Sequence, residues 1–130
     1  MRTILIIEDN AQNLYLAAFL LDAAGFRVAA ARSGPEGIAE AARLRPDLIV
    51  LDIQLPGMDG YAVARALRAD PALAQVPIVA VTSYAMAGDR ERALDAGCNG
   101  YLEKPIDPDT FVMSIASHLP AGSGAGEAQA

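Results

Sequence analysis

The stretch DLIVLDIQLPGMDG, residues 47–60, decides the fold of this chain. Four consecutive apolar residues, LIVL at 48–51, are followed by a single carboxylate, Asp52, and then by a loop with proline and glycine. An apolar run without alternation predicts a strand that is covered on both faces, as the central strands of parallel sheets are. Asp52 is therefore expected at the carboxyl end of a central strand, the edge at which open α/β sheets bind ligands.

The composition limits what the chain can be. Its 130 residues correspond to one domain, and a 53% hydrophobic fraction with 5% aromatic residues predicts the aliphatic core of a layered α/β protein. No apolar run approaches the roughly 20 residues of a membrane helix and no signal peptide is visible, so we expect a cytoplasmic location without membrane association. A single cysteine, Cys98, is compatible with a reducing compartment. The formal net charge of −6 disfavours direct binding to nucleic acid.

The pattern of a short apolar strand followed by a helix occurs five times. The predicted strands are residues 4–7, 28–31, 48–51, 78–81 and 100–103. Strands that alternate with helices of ten to fifteen residues predict a parallel sheet with helices on both faces. The second strand is the least hydrophobic, which indicates an edge position. Residues 120–130, PAGSGAGEAQA, have no periodicity, so we interpret them as a disordered tail after a domain of residues 1–119.

Individual residues mark the ends of the predicted helices. Gly25 and Gly97 are placed where the first and fourth helices are expected to end. Ser33 and Asp59 are typical N-cap residues for the second and third helices. Asp107, followed by a proline, predicts the start of the fifth helix.

Polar residues follow four of the five predicted strands. Glu8 and Asp9 come after the first strand, Asp52 after the third, Thr82 after the fourth and Lys104 after the fifth. Because parallel strands present their carboxyl ends at one edge, we expect these side chains to converge there. Three carboxylates in one place repel each other, which raises their pKa values unless a cation neutralises them. An all-oxygen site of this kind suits Mg²⁺ rather than zinc.

Each of these residues also has a purely structural interpretation. Lys104 alone is explained as a solvated charge at a strand end, and Thr82 as a β-branched strand residue. Glu8 and Asp9 are explained as acidic residues that a helix N-terminus favours. Phosphoryl transfer to Asp52 is the chemistry that would use the whole set, because both the carboxylate and the incoming phosphate need neutralising charge. A divalent ion and the Lys104 ammonium would supply it.

Several motifs carry a family resemblance. They are IIEDN at 6–10, LDIQLPGMDG at 51–60, VTSYA from residue 81 and AGCNGYLEKP from residue 96. With them, the chain resembles a response-regulator receiver domain of two-component signalling over nearly everything from Thr3 to Leu119. Among short members it is most similar to single-domain regulators of the DivK type. The resemblance implies the flavodoxin-like receiver fold, an α/β architecture whose five-stranded parallel sheet has the order 2-1-3-4-5 and is doubly wound with five helices.

The resemblance also implies roles for the residues at the sheet edge. Asp52 would be the phosphoacceptor, assisted by Lys104 and Thr82. Mg²⁺ would be bound by Asp9, Asp52 and the main-chain carbonyl of Gln54, with Glu8 acting through water. The peptide bond between Lys104 and the following proline is expected to be cis.

The signalling roles that the resemblance implies involve other proteins. Thr82 and Tyr101 would form the switch that responds to the phosphoryl group. The donor would be a sensor histidine kinase or a histidine phosphotransfer protein, and the output would go to a downstream protein target. The contact surface would be the face formed by the fourth helix, fifth strand and fifth helix. Such a protein is not an enzyme in the usual sense, since it catalyses only its own phosphorylation and dephosphorylation.

Other functions fit the sequence less well. A dehalogenase-like phosphatase would need an Asp-x-Asp pair on its first strand, and the phosphate loops GxxxxGK[ST] and GxGxxG do not occur. Two alternatives stay open. The chain could be a metal-binding interaction module that does not accept phosphate, or a receiver module cut from a longer output protein.

Overall fold

The computed structural model describes residues 1–83 and 87–120, and it contains a five-stranded parallel sheet with the order β2-β1-β3-β4-β5. The strands are β1 (Thr3–Ile7), β2 (Arg27–Ala31), β3 (Leu48–Asp52), β4 (Ile78–Thr82) and β5 (Gly100–Glu103). The helices are α1 (Ala11–Ala23), α2 (Gly34–Leu44), α3 (Gly60–Ala69), α4 (Asp89–Asp95) and α5 (Phe111–Ala116), with a 3₁₀ turn at Pro71–Leu73. The predicted fold class and strand order are confirmed. Of the predicted tail, 121–130 lie outside the described residues, so its disorder stays a prediction.

The sheet divides the apolar core into two layers. Alternate residues of β1 face opposite sides, so Leu5 and Ile7 join one buried cluster while Ile4 and Ile6 join the other. The first cluster packs against α2, α3 and α4, and the second packs against α1 and α5. Every residue of β3 and β4 is buried, as the unbroken apolar runs predicted. In the edge strand β2 only Ala31 is buried.

The N-caps predicted for α2 and α3 are confirmed, and the start predicted for α5 is wrong. The Ser33 side chain accepts a hydrogen bond from the N–H of Glu36, and the Asp59 side chain accepts one from the N–H of Tyr61. Asp107, by contrast, does not open α5 directly. Its carboxylate accepts from the N–H of Asp109 and closes a turn over residues 108–110, and the helix begins only after that turn.

A single arginine ties α3 to the amino ends of β4 and β5. The guanidinium of Arg68 donates to the carbonyl oxygens of Gly97 (2.9 Å) and Leu73 (2.8 Å) and to Oδ1 of Asn99 (2.7 Å). The same Asn99 oxygen accepts from the N–H of Ile78 at 2.9 Å. We call these five residues the Arg68 clamp. Burial lowers the pKa of Arg68, and the clamp compensates by giving its charge three neutral acceptors.

None of the helices in the described part of the chain combines the length and the apolar character needed to cross a bilayer; the longest, α1, has 13 residues.

Candidate functional site

Strand order brings together the polar residues that the sequence placed at strand ends. Glu8 and Asp9 directly follow β1, and Asp52 is the last residue of β3, which pairs with β1 in parallel. Thr82 is the last residue of β4, and Lys104 directly follows β5. All five therefore lie at the carboxyl edge of the sheet, as predicted.

The three carboxylates form one cluster. One oxygen from each of Glu8, Asp9 and Asp52 lies within 4.8 Å of the others. Glu8 and Asp52 are buried, with 5% and 3% of their surface exposed, and Asp9 is half-buried. Buried carboxylates without counter-charge are costly, so a cluster of this kind requires cations close by.

Lys104 supplies one of those cations. Its Nζ lies 2.7 Å from Oε1 of Glu8 and 3.3 Å from Oδ2 of Asp52, and its side chain is 10% exposed. The peptide bond between Lys104 and Pro105 is cis, as expected. The lysine therefore bridges two carboxylates from neighbouring strands, where a group bound to Asp52 would also be within reach of its ammonium.

The charges at the site do not balance. Burial raises the pKa of Glu8, and the nearby Asp52 raises it further, while hydrogen bonds from Lys104 and the N–H of Asn10 lower it. The expected repulsion is thus present for Glu8, but burial is the larger cause. With all three carboxylates ionised, one ammonium leaves a net charge of −2. The residues present fit a divalent cation that prefers oxygen ligands, since the cluster contains no histidine or thiol.

The loop after β3 holds Asp52 from a second direction. The backbone N–H of Gln54 donates to Oδ1 of Asp52 at 2.9 Å, so the two Asp52 oxygens face different partners. Gly60 closes the loop against the backbone of Ile53: its N–H donates to the Ile53 carbonyl at 3.1 Å, and a Cβ at this position would overlap Ile53. The role of the Gln54 carbonyl as a metal ligand stays a prediction.

The side chain of Gln54 makes contacts that the sequence did not reveal. Its Nε2 donates to the hydroxyl oxygen of Thr82, and its Oε1 accepts from the N–H of Ser83 at 2.8 Å. Thr82 is buried, whereas Gln54 is exposed. No sequence signal would have found this bridge, because it joins the loop after β3 to the end of β4, which are close only in the folded chain.

Two further contacts at this edge were also missed. Nη2 of Arg32, just after β2, donates to the main-chain oxygen of Asp9 at 2.8 Å. The side chain of Asn10 accepts from the N–H of Asn13 and caps α1. Both contacts hold the β1–α1 connection that carries Asp9. Arg32 also directly follows a strand, so the sequence pattern could have pointed to it as a residue at this edge.

Tyr101 lies on β5, outside the carboxylate cluster. It is half-buried and packs against the apolar cluster beneath α2, α3 and α4. Its hydroxyl is buried and has no hydrogen-bond partner among residues 1–83 and 87–120. Burial, followed by the charge of Asp89, raises the pKa of this hydroxyl. The guanidinium of Arg90 on α4 lies 5.9 Å from the ring centre. The surroundings of the ring therefore depend on how α4 packs against β5.

Comparison with known proteins decides the family. The model of the response regulator receiver domain matches residues 4–116. The chain belongs to the response-regulator receiver family. Its relatives include the polar-differentiation response regulator DivK of Brucella anthropi, which is 41% identical over 118 residues, or 91% of this chain and 96% of that protein.

Solved structures of receiver proteins share the fold. The chemotaxis protein CheY4 of Vibrio cholerae superimposes with a TM-score of 0.88 at 27% identity, covering 92% of this chain and 99% of that one. The receiver domain of the sensor histidine kinase PA1611 from Pseudomonas aeruginosa gives 0.82 at 37% identity, covering 90% and 96%. That structure has a magnesium ion coordinated in its active-site cleft.

Proposed function

We propose that this receiver protein is a stand-alone response regulator that accepts a phosphoryl group on Asp52 in a Mg²⁺-dependent reaction. The observation that carries the proposal is the buried cluster of Glu8, Asp9 and Asp52 with Lys104 placed against two of them. A cluster with a net charge of −2 is costly unless its ligand brings positive charge. The magnesium ion in the cleft of the PA1611 receiver domain supports the choice of ion.

The ion would be held by Asp9, Asp52 and the main-chain carbonyl of Gln54, with Glu8 acting through water. When bound, Mg²⁺ supplies positive charge next to the phosphoryl oxygens. In the transfer, an oxygen of Asp52 forms a bond to phosphorus, and the bond between phosphorus and the donor's imidazole nitrogen breaks. The electron pair of that bond stays on the nitrogen. The donor would be a sensor histidine kinase or a histidine phosphotransfer protein.

Residues of the chain itself assist the transfer. The ammonium of Lys104, 3.3 Å from Asp52, pairs with a phosphoryl oxygen and offsets its charge. The hydroxyl of Thr82, at the end of the neighbouring strand, donates a hydrogen bond to another phosphoryl oxygen. Thr82 moves toward the phosphoryl group, and Tyr101 changes its packing behind it. The protein thus catalyses only its own phosphorylation and dephosphorylation.

The response then passes to a protein partner through the face formed by α4, β5 and α5. Support for this face comes from Tyr101, which lies on β5 and whose ring is approached by Arg90 of α4. A phosphoryl group biases the equilibrium between two arrangements of this face, and the partner binds one of them better. Direct nucleic-acid binding is not part of the proposal, because the chain is acidic. The cytoplasmic location stays a prediction.

The test is phosphorylation by acetyl phosphate, followed by intact-protein mass spectrometry with Mg²⁺ and with a chelator. We expect a gain of one phosphoryl group that requires Mg²⁺ and is abolished by Asp52→Asn. The matched control is Asp22→Asn, which removes an exposed carboxylate from α1 and should label like the wild type. A wild-type protein that binds Mg²⁺ but takes no label is the metal-binding interaction module instead, and label on Asp52→Asn would refute the choice of residue.

A further inference from the structure

One exposed side chain contacts both the last residue of β4, Thr82, and the residue after it, Ser83. The amide of Gln54 uses its nitrogen to donate to the Thr82 hydroxyl and its oxygen to accept from the Ser83 N–H. Its own backbone N–H is bonded to Asp52 at 2.9 Å. An exposed glutamine normally keeps its rotamer freedom and is hydrated by water, so a side chain with both ends engaged is ordered by these contacts.

We propose that the Gln54 side chain is a positioning residue that restrains Thr82 and Ser83 in the resting protein and must release them when Asp52 is phosphorylated. This inference rests on the proposed function. It concerns the state before phosphorylation, when no phosphoryl oxygen is present to bind Thr82 or Ser83. The restraint opposes phosphorylation, because its contacts are made in the resting state alone.

The bridge and a phosphoryl group on Asp52 compete for Thr82 and for the N–H of Ser83. Asp52 pairs with Val81 across β3 and β4, so the residues that follow Val81 are those beside a group attached to Asp52. A backbone N–H makes one strong hydrogen bond, so Ser83 cannot serve both the Gln54 oxygen and a phosphoryl oxygen. Thr82 is affected differently, because it uses its oxygen and not its proton in the bridge, but moving toward the phosphoryl group takes that oxygen away from the Gln54 nitrogen. Phosphorylation must therefore break the bridge.

The chemistry of the bridge requires glutamine. It uses one donor and one acceptor at the end of a side chain, which an amide provides. A glutamate would accept from Ser83 but could not donate to Thr82, and it would add negative charge beside the three clustered carboxylates. Methionine has nearly the same length and volume as glutamine without either hydrogen-bonding group, so Gln54→Met removes the bridge and keeps the bulk.

The test compares Gln54→Met with the wild type and with Gln75→Met, which makes the same change at an exposed position away from the site. The first readout is the initial rate of phosphorylation by acetyl phosphate in Mg²⁺. The second is hydrogen exchange of the Ser83 N–H in metal-free protein. We expect Gln54→Met to raise the labelling rate about tenfold or more, because two hydrogen bonds of ordinary net strength are lost. The exchange rate of the Ser83 N–H, which loses one of them, should rise about fivefold. Gln75→Met should change neither.

The outcomes separate this inference from the proposed function. Wild-type labelling together with unchanged rates in Gln54→Met overturns the restraint and leaves phosphorylation of Asp52 intact. Slower labelling in Gln54→Met also overturns it, because Gln54 would then assist the reaction. A wild type that takes no label overturns both. Faster labelling with faster Ser83 exchange supports the restraint, and a loss of packing alone would not accelerate the chemistry.

Discussion

Each edge of the sheet carries a half-buried cation, but the two cations have different partners. At the amino edge, the Arg68 clamp surrounds one guanidinium with three neutral oxygens, all from the chain itself. At the carboxyl edge, Lys104 faces two of three clustered carboxylates, and the ionised group keeps a net charge of −2. The clamp is complete without a ligand. The carboxylate cluster is not, and this difference distinguishes a structural polar group from a site.

The largest effect should come from breaking the clamp. Arg68→Ala removes the side-chain donor of the Gly97 carbonyl and leaves the Leu73 carbonyl only the N–H of Val76. We expect it to lower the free energy of unfolding by about 3 kcal/mol. Arg65→Ala, an exposed arginine on the same helix, is the control and should cost less than about 0.5 kcal/mol. Urea unfolding with and without Mg²⁺ measures both. If Mg²⁺ reduced the difference in unfolding free energy between Arg68→Ala and the wild type, the two edges would not be independent.

The alkylation rate of the Cys98 thiol measures whether the amino edge of the sheet is closed to solvent. It lies between two clamp residues and is 4% exposed, and burial raises the pKa of its thiol from 9.0 to about 11. At pH 8 the thiolate fraction is therefore about 100-fold lower than in unfolded protein, and alkylation by iodoacetamide should slow at least as much. Equal alkylation rates in buffer and in urea would show an open edge.

The same shift predicts a pH dependence of stability. Because the folded pKa of Cys98 lies above the unfolded one, its contribution to stability is fully present below pH 9. It is lost as the pH rises from 9.0 to about 11. Cys98→Ser should remove this part of the alkaline decline in the free energy of unfolding.

A smaller effect is expected at the carboxyl edge. The pKa of Glu8 is raised in the folded protein, so ionisation of this side chain opposes folding. The stability that protonated Glu8 contributes is fully present below its ordinary pKa of 4.5 and is lost as the pH rises through the folded pKa. Glu8→Gln should therefore stabilise the metal-free protein relative to wild type increasingly above pH 4.5. Glu91→Gln, at an exposed position of α4, is the control. Thermal unfolding in a chelator at several pH values measures the difference, and a stability loss in Glu8→Gln at neutral pH would contradict it.

The acidic cluster could be predicted from the sequence because its residues lie at the ends of strands. Apolar runs of four residues fix where each strand ends, and parallel pairing brings those ends to one edge. The order of the strands came from the family resemblance, and with β1 and β3 as neighbours Asp52 had to lie near Glu8 and Asp9. The edge position of β2 followed equally directly from its weak hydrophobicity.

Contacts between loops could not be predicted in the same way. The bridge from Gln54 to Thr82 joins residues 28 apart, and the bond from Arg68 to Asn99 joins residues 31 apart. Each joins a loop residue, Gln54 or Asn99, to a strand or a helix, and periodicity does not determine the conformation of those loops. The predicted start of α5 was wrong for a local reason. Asp107 is equally suited to a helix N-cap and to the turn that it makes with Asp109.

The central claim is that three carboxylates from two strands share one divalent ion, and Mg²⁺ titration by calorimetry tests it most directly. We expect one ion per chain in the wild type and in Asp22→Asn. Asp9→Asn and Asp52→Asn should each weaken binding about tenfold or more. Magnesium affinity that is unchanged in both variants would contradict the claim.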